Sequence, residues 1–89
     1  MDGDATERLY RAEAVYELLR LSPAALRRYE RQGLVQPRRV GRARAYSEAE
    51  LRRLRRIRRL TVDMGVNLAG VEIILRLVER LGTTGDAQP

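Results

Sequence analysis

The sequence has neither cysteine nor histidine, and all 18 of its basic residues are arginine. Without thiols or imidazoles, disulfides, thiol nucleophiles, imidazole general bases and ordinary zinc sites are excluded together. No apolar run approaches the roughly 18 residues of a membrane span. The opening MDGDATERLY lacks the basic head and apolar middle of a signal peptide, so a cytoplasmic location is expected. There is no glycine-rich phosphate loop, and the carboxylates are scattered over helix surfaces and caps. Neither enzyme activity, a metal nor a cofactor is expected. A chain of 89 residues allows one domain, with a core too small for elaborate pockets.

What is present is charge, and it is concentrated. The formal net charge is +6, but Arg20 to Arg59 carries 14 arginines against Glu30, Glu48 and Glu50, a local charge of +11, while the remainder carries −5. A high-GC genome or a thermophile would favour arginine over lysine without any functional reason, but neither accounts for the clustering. The arginine fork binds phosphate and guanine edges bidentately.

Taken in order, residues 1–8 are polar and expected to be flexible. Ala12, Val15, Leu18 and Leu19 form the stripe of a first helix over Tyr10–Leu19, with Glu13 and Glu17 outward. Only Arg20 and Leu21 separate it from Ser22, an N-cap with Pro23 at the first helical position. The two helices must turn sharply on each other, and Arg20 is a misfit in a left-handed turn position that usually takes glycine. The second helix ends at Gly33, turns Leu26 and Tyr29 inward, and spreads Ala24, Ala25, Arg27, Arg28 and Arg31 around the rest of its surface. Leu34 and Val35 predict a short apolar strand, after which Arg38, Arg39, Arg42 and Arg44 surround Gly41 on a ribbon returning to Tyr46.

Ser47 with Glu50 predicts a capping box that satisfies two amides reciprocally, opening a third helix with Leu51, Leu54, Ile57, Leu60 and Thr61 inward. Arg52, Arg53, Arg55, Arg56, Arg58 and Arg59 occupy its other positions. Met64 and Gly65 end that helix and Asn67 caps a fourth, whose stripe is Val71, Ile74, Leu75, Val78 and Leu81. Ile73 and Leu77 widen this stripe, either to close over the first helix or to meet a partner. Residues 82–89 are expected to be a flexible tail. The fold class is therefore mostly α: a winged helix-turn-helix domain over residues 9–81, with about four helices and a short two-stranded wing.

With these residues laid out, the chain resembles the MerR family of transcription regulators from about Tyr10 to Leu81. The resemblance rests on SPAALRRYERQGL, on Pro37 and Arg38, and on Arg44–Ser47. MGVNLAGVEIIL resembles the heat-shock repressor branch. The resemblance implies double-stranded DNA as partner and a link to chaperone genes. It places Arg27 on the recognition-helix arginine, Ala24, Ala25 and Arg28 toward the major groove, Arg38 and Arg44 on the wing, and Tyr46 at the wing's base near the DNA backbone. Arg31, Arg39 and Arg42 are further candidate DNA contacts by their place on the same helix and wing. Gly41, Arg42 and Ala43 stand where relatives have a longer wing tip, and Arg20 and Arg28 replace a usual glycine and a frequent tyrosine. The family's long dimerising helix and effector domain have no counterpart here, so no small-molecule effector is expected. Any homo-oligomer would use Ile73, Leu77, Val78 and Leu81. Short MerR-like proteins also bind DnaK and DnaJ chaperones, so a chaperone-binding adaptor on the same fold is the alternative.

Overall fold

In a computed structural model, the backbone is described for residues 8–87 and the side chains for residues 8–81. The elements are β1 (Leu9–Arg11), α1 (Ala12–Leu19), α2 (Pro23–Arg31), β2 (Arg38–Val40), β3 (Ala43–Ser47), α3 (Glu48–Arg58), a π-helical turn (Arg59–Asp63) and α4 (Leu68–Ala87). Among the described residues, no helix is long and apolar enough to cross a membrane.

Tyr10 and Arg11, read from the sequence as the first turn of a helix, instead form a strand. β1 pairs antiparallel with β3 through Leu9–Ser47, Tyr10–Tyr46 and Arg11–Ala45. The wing hairpin β2–β3 therefore gains a third strand, in the order β1-β3-β2. The partner strand lies more than thirty residues away, so the local period of 3.6 could not register it. α1 then buries Ala12, Val15 and Leu19, whereas Leu18, expected inward, is 53% exposed.

Arg20 takes the left-handed conformation with φ 55 and ψ 48, and the amides of Arg20 and Leu21 both donate to the Tyr16 carbonyl. This closes α1 in one residue and sets the sharp turn into α2. Ser22 Oγ accepts from the Ala25 amide at 3.0 Å. At the other end Gly33, with φ 76, donates to Glu30 O while Leu34 donates to Tyr29 O, a Schellman closure that ends the helix at the expected place. Leu34 and Val35 do not form the expected strand. Both side chains are buried, which alternation in a strand with one solvated face forbids, and they cross from α2 to β2 as irregular chain under α3.

Ser47 Oγ accepts from the Glu50 amide at 3.2 Å, but the expected reciprocal half of the capping box is not made. Glu50 Oε1 is buried without a hydrogen-bond partner, and Ser47 itself closes β3 opposite Leu9. α3 buries Leu51, Leu54 and Ile57, with Leu60 continuing the stripe. Thr61 then disturbs the ladder: its hydroxyl bonds the carbonyls of Ile57 at 2.9 Å and Arg58 at 3.3 Å, and the following turn is wound wider, with Met64 N donating to Arg59 O. Gly65, with φ 71, reverses the chain, and Asn67 Oδ1 caps α4 by accepting from the Gly70 amide at 2.8 Å.

One core joins these pieces: Val15 and Leu19 of α1, Leu26 and Tyr29 of α2, Tyr46 of β3, Leu51, Leu54 and Ile57 of α3, and Val71 and Leu75 of α4. α4 continues through Ala87, past the expected end of the domain at Leu81. The expectation of flexible ends covers residues 1–8, of which only Arg8 lies among those described, and residues 82–89, whose side chains lie outside them.

Candidate nucleic-acid interface

α2 backs onto the core with Leu26 and Tyr29 and leaves Ala24, Arg27, Arg28 and Arg31 exposed on its outer face. Two alanines in the first turn keep that end of the helix slim. Ala25 is half-buried and packs against the core, so only its edge reaches the outer face.

The wing stands beside this helix. Val40 pairs with Ala43, which leaves Gly41 and Arg42 as a two-residue turn. Only the first of them has positive φ, 64 for Gly41, the pattern of a hairpin turn whose twist matches its strands. Arg39 lies directly across from Arg44, on one face of the ribbon, and strand alternation puts Arg38 on the other. The wing arginines are thus split: Arg39, Arg42 and Arg44 line the side that faces α2, and Arg38 does not.

Between wing, α1 and α2 lies an open cleft of about 440 Å³ lined by Arg11, Glu13, Tyr16, Arg27, Arg39, Arg42 and Arg44. Arginines outnumber the one acid in this lining, Glu13, and the exposed Arg27, Arg39 and Arg42 make the cleft anion-seeking. On the opposite flank of α2, a second cleft of about 410 Å³ is bordered by Arg28, Tyr29, Thr61, Val62 and Asn67. Arg27 and Arg28 therefore address different sides of the same helix.

A half-buried acid ties the wing to α2. Glu30 Oε1 accepts from Arg44 Nη1 at 2.8 Å, its Oε2 accepts from the Tyr46 hydroxyl, and Arg44 Nη2 reaches the Tyr16 hydroxyl at 3.4 Å. The Glu30 and Arg44 side chains are only 15% and 22% exposed. Arg44, expected as a wing contact, spends its fork on this internal pair. Tyr46, expected near a DNA backbone, is fully buried and is a core residue that hangs β3 on α2. Burial, reinforced by the Glu30 carboxylate that accepts the hydroxyl's hydrogen bond, pushes the Tyr46 hydroxyl well above its ordinary pKa, and Arg44 only partly opposes this. Tyr29 is likewise a core residue, its hydroxyl paired with Thr61 Oγ1 at 3.2 Å.

Three residues of the site were missed in the sequence: Glu30, Arg11 and Tyr16. The signal for Glu30 is the lone acid within a helix of arginines; for Arg11 and Tyr16 the signal is absent, because β1 and the wing are brought together only by long-range pairing. On α4, Ile73, Leu77 and Leu81 are exposed by 61%, 53% and 69%, and Val78 is half-buried. Among the described residues, no group of acids could hold a metal ion.

A capped helix held by a tight turn against its predecessor and flanked by a basic hairpin defines a winged helix-turn-helix domain. The family of MerR HTH regulatory proteins matches residues 10–78, and the chain belongs to that family. It is 41% identical over 70 residues to the heat shock protein HspR of Streptomyces coelicolor, an alignment that takes in 78% of this chain and 46% of that protein. The chain thus spans about half the length of the curated relative it matches. No solved structure matches it.

Proposed function

We propose that this chain is a DNA-binding transcription regulator of the heat-shock type, acting on chaperone genes in the cytoplasm through residues 9–81 as its winged helix-turn-helix unit. The observation that carries the reading is the cleft where Arg11, Arg27, Arg39 and Arg42 converge beside the exposed face of α2. α2 enters a major groove, the wing arginines take phosphates on one side of it, and Arg28 is placed on the other. Alanine reads little beyond a thymine methyl, so Ala24 and Ala25 leave sequence reading to Arg27, Arg28 and DNA shape. An adaptor joining DnaK and DnaJ chaperones leaves this cleft unaccounted for, whereas the regulator uses it; the family match also supports the regulator. A pair of chains joined through Ile73, Leu77, Val78 and Leu81 completes the reading.

The test is a salt titration of binding to duplexes selected from a random pool and to unselected duplexes. Displacing about six counterions gives a log–log slope near −5. Arg27→Ala is expected to cost about 1–3 kcal/mol on the selected duplex and far less on the unselected one. A flat salt response, or equal affinity for the two duplexes, would overturn the proposal.

A further inference from the structure

The arginines of α3 are not part of the cleft beside α2. Leu51, Leu54 and Ile57 face the shared core, so the outer arc of α3 points away from it, carrying Arg52, Arg55, Arg56 and Arg59, all exposed. Arg53 is taken by Glu79 of α4, and Arg58 Nε donates to the Arg20 carbonyl at 3.4 Å. Arg52, Arg55, Arg56 and Arg59 have no acid partner among the described residues. Like charges at these helical spacings oppose the helix by about 0.2–0.5 kcal/mol per pair, so something other than the stability of α3 must account for them.

Beside this arc, between α3 and the end of α1, is an open cleft of about 370 Å³ lined by Leu18, Leu19, Arg20, Arg55, Arg58, Arg59 and Asp63. Leu18 is the residue that left the expected inward stripe and stands 53% exposed. Cations around an apolar wall fit a ligand that is itself acidic and apolar. A DNA backbone fits poorly, because it offers nothing to the apolar wall at Leu18. The cleft beside α2 and the cleft beside this arc share no lining residue.

We infer that the cleft between the end of α1 and the arginine arc of α3 is a docking surface for an acidic, amphipathic helical segment of another protein, its carboxylates on Arg55, Arg59 and Arg20 and an apolar side chain against Leu18. Carboxylates repeating every three to four residues match the spacing of Arg52, Arg55, Arg56 and Arg59. The inference is independent of DNA binding, since it uses none of the residues assigned to that role.

The probe is a fluorescein-labelled helical peptide of roughly 20 residues with Glu at i, i+3, i+4 and i+7 beside a leucine stripe, followed by anisotropy at about 150 mM salt. A second peptide has Gln for every Glu. Binding to the intact chain is expected in the micromolar range, and about tenfold weaker or more with the Gln peptide or with the Arg55→Glu/Arg59→Glu variant. Leu18→Ser is expected to weaken it by about fivefold. The charge-matched Arg39→Glu/Arg42→Glu variant, altered in the wing, should change it by less than about threefold. Equal losses from the two double variants would reduce the effect to generic attraction and overturn the inference. So would unchanged binding in Arg55→Glu/Arg59→Glu, or displacement of the peptide by a duplex whose own affinity falls in parallel in that variant.

Discussion

Arg20 holds a backbone conformation that glycine holds without strain, φ 55 and ψ 48, and its side chain lies exposed at the edge of the α3 cleft. The left-handed region costs a residue with a Cβ roughly 1–2 kcal/mol, partly offset because glycine loses more entropy on folding. Arg20→Gly is therefore expected to raise stability by about 0.5–1 kcal/mol in urea denaturation, while Arg20→Ala gives no gain. Tyr46 shows the reverse case, a residue whose chemistry is invisible until its burial is known. Its folded-state pKa is raised above the ordinary 10.0, so folding favours the protonated hydroxyl. The stabilisation is complete below about pH 10 and is lost as pH rises beyond it, because the unfolded tyrosine ionises first. Tyr46→Phe should cost about 1–2 kcal/mol at neutral pH and flatten the alkaline decline, read from denaturation midpoints across pH 8–11. A decline equally steep in the variant would show that another group governs it.

At the level of elements, what was legible was whatever is written locally. Ser22, Gly33, Ser47 and Asn67 mark helix ends through bonds to residues three positions away, Gly65 does so by its left-handed backbone, and each stands where the sequence placed it. Apart from the unmade half of the Ser47–Glu50 box and the longer α4, the errors involve distant partners: β1 exists because β3 offers it an edge, Leu34 and Val35 are drawn into the core instead of a ladder, and the arginines of the wing divide according to a strand register. The candidate site was readable as a basic helix and a basic ribbon. That Arg44 braces the ribbon was not, since Glu30 is 14 residues away from it. This gives the wing arginines different signatures. Arg39→Ala and Arg42→Ala should each lower the salt slope of DNA binding by about one unit with little change in melting temperature. Arg44→Ala should leave the slope nearly unchanged and destabilise the fold by about 2–3 kcal/mol, because the half-buried Glu30 carboxylate loses its cation. Glu30→Gln, which keeps an acceptor for Tyr46, is expected to cost less than Glu30→Ala in the same melts.

On the scale of the whole molecule, α4 is apolar on two sides and the core covers only one. Val71 and Leu75 are buried in the shared core, while Ile73, Leu77 and Leu81, spaced by four residues, form an exposed ridge flanked by half-buried Ile74 and Val78. Positions 74, 77 and 81 also keep the three-and-four spacing of a helix pair seam. A winged domain that reads one half-site gains both affinity and specificity when a second copy reads another about 34 Å along the duplex, and the proposed pairing would use the apolar surface that α4 leaves exposed. The ridge is small, so pairing should be weak without DNA, with dissociation at roughly micromolar concentration or above. Light scattering over a concentration series is expected to show a monomer–dimer equilibrium. Ile73→Asp with Leu77→Asp should abolish it while leaving the circular dichroism spectrum and melting temperature close to those of the parent, because neither side chain supports the core. On a selected duplex carrying two half-sites, the same variant should bind as one chain with an affinity reduced about a hundredfold or more through lost effective concentration. A parent chain that stays monomeric both alone and on that duplex would rule out α4 as the joining surface.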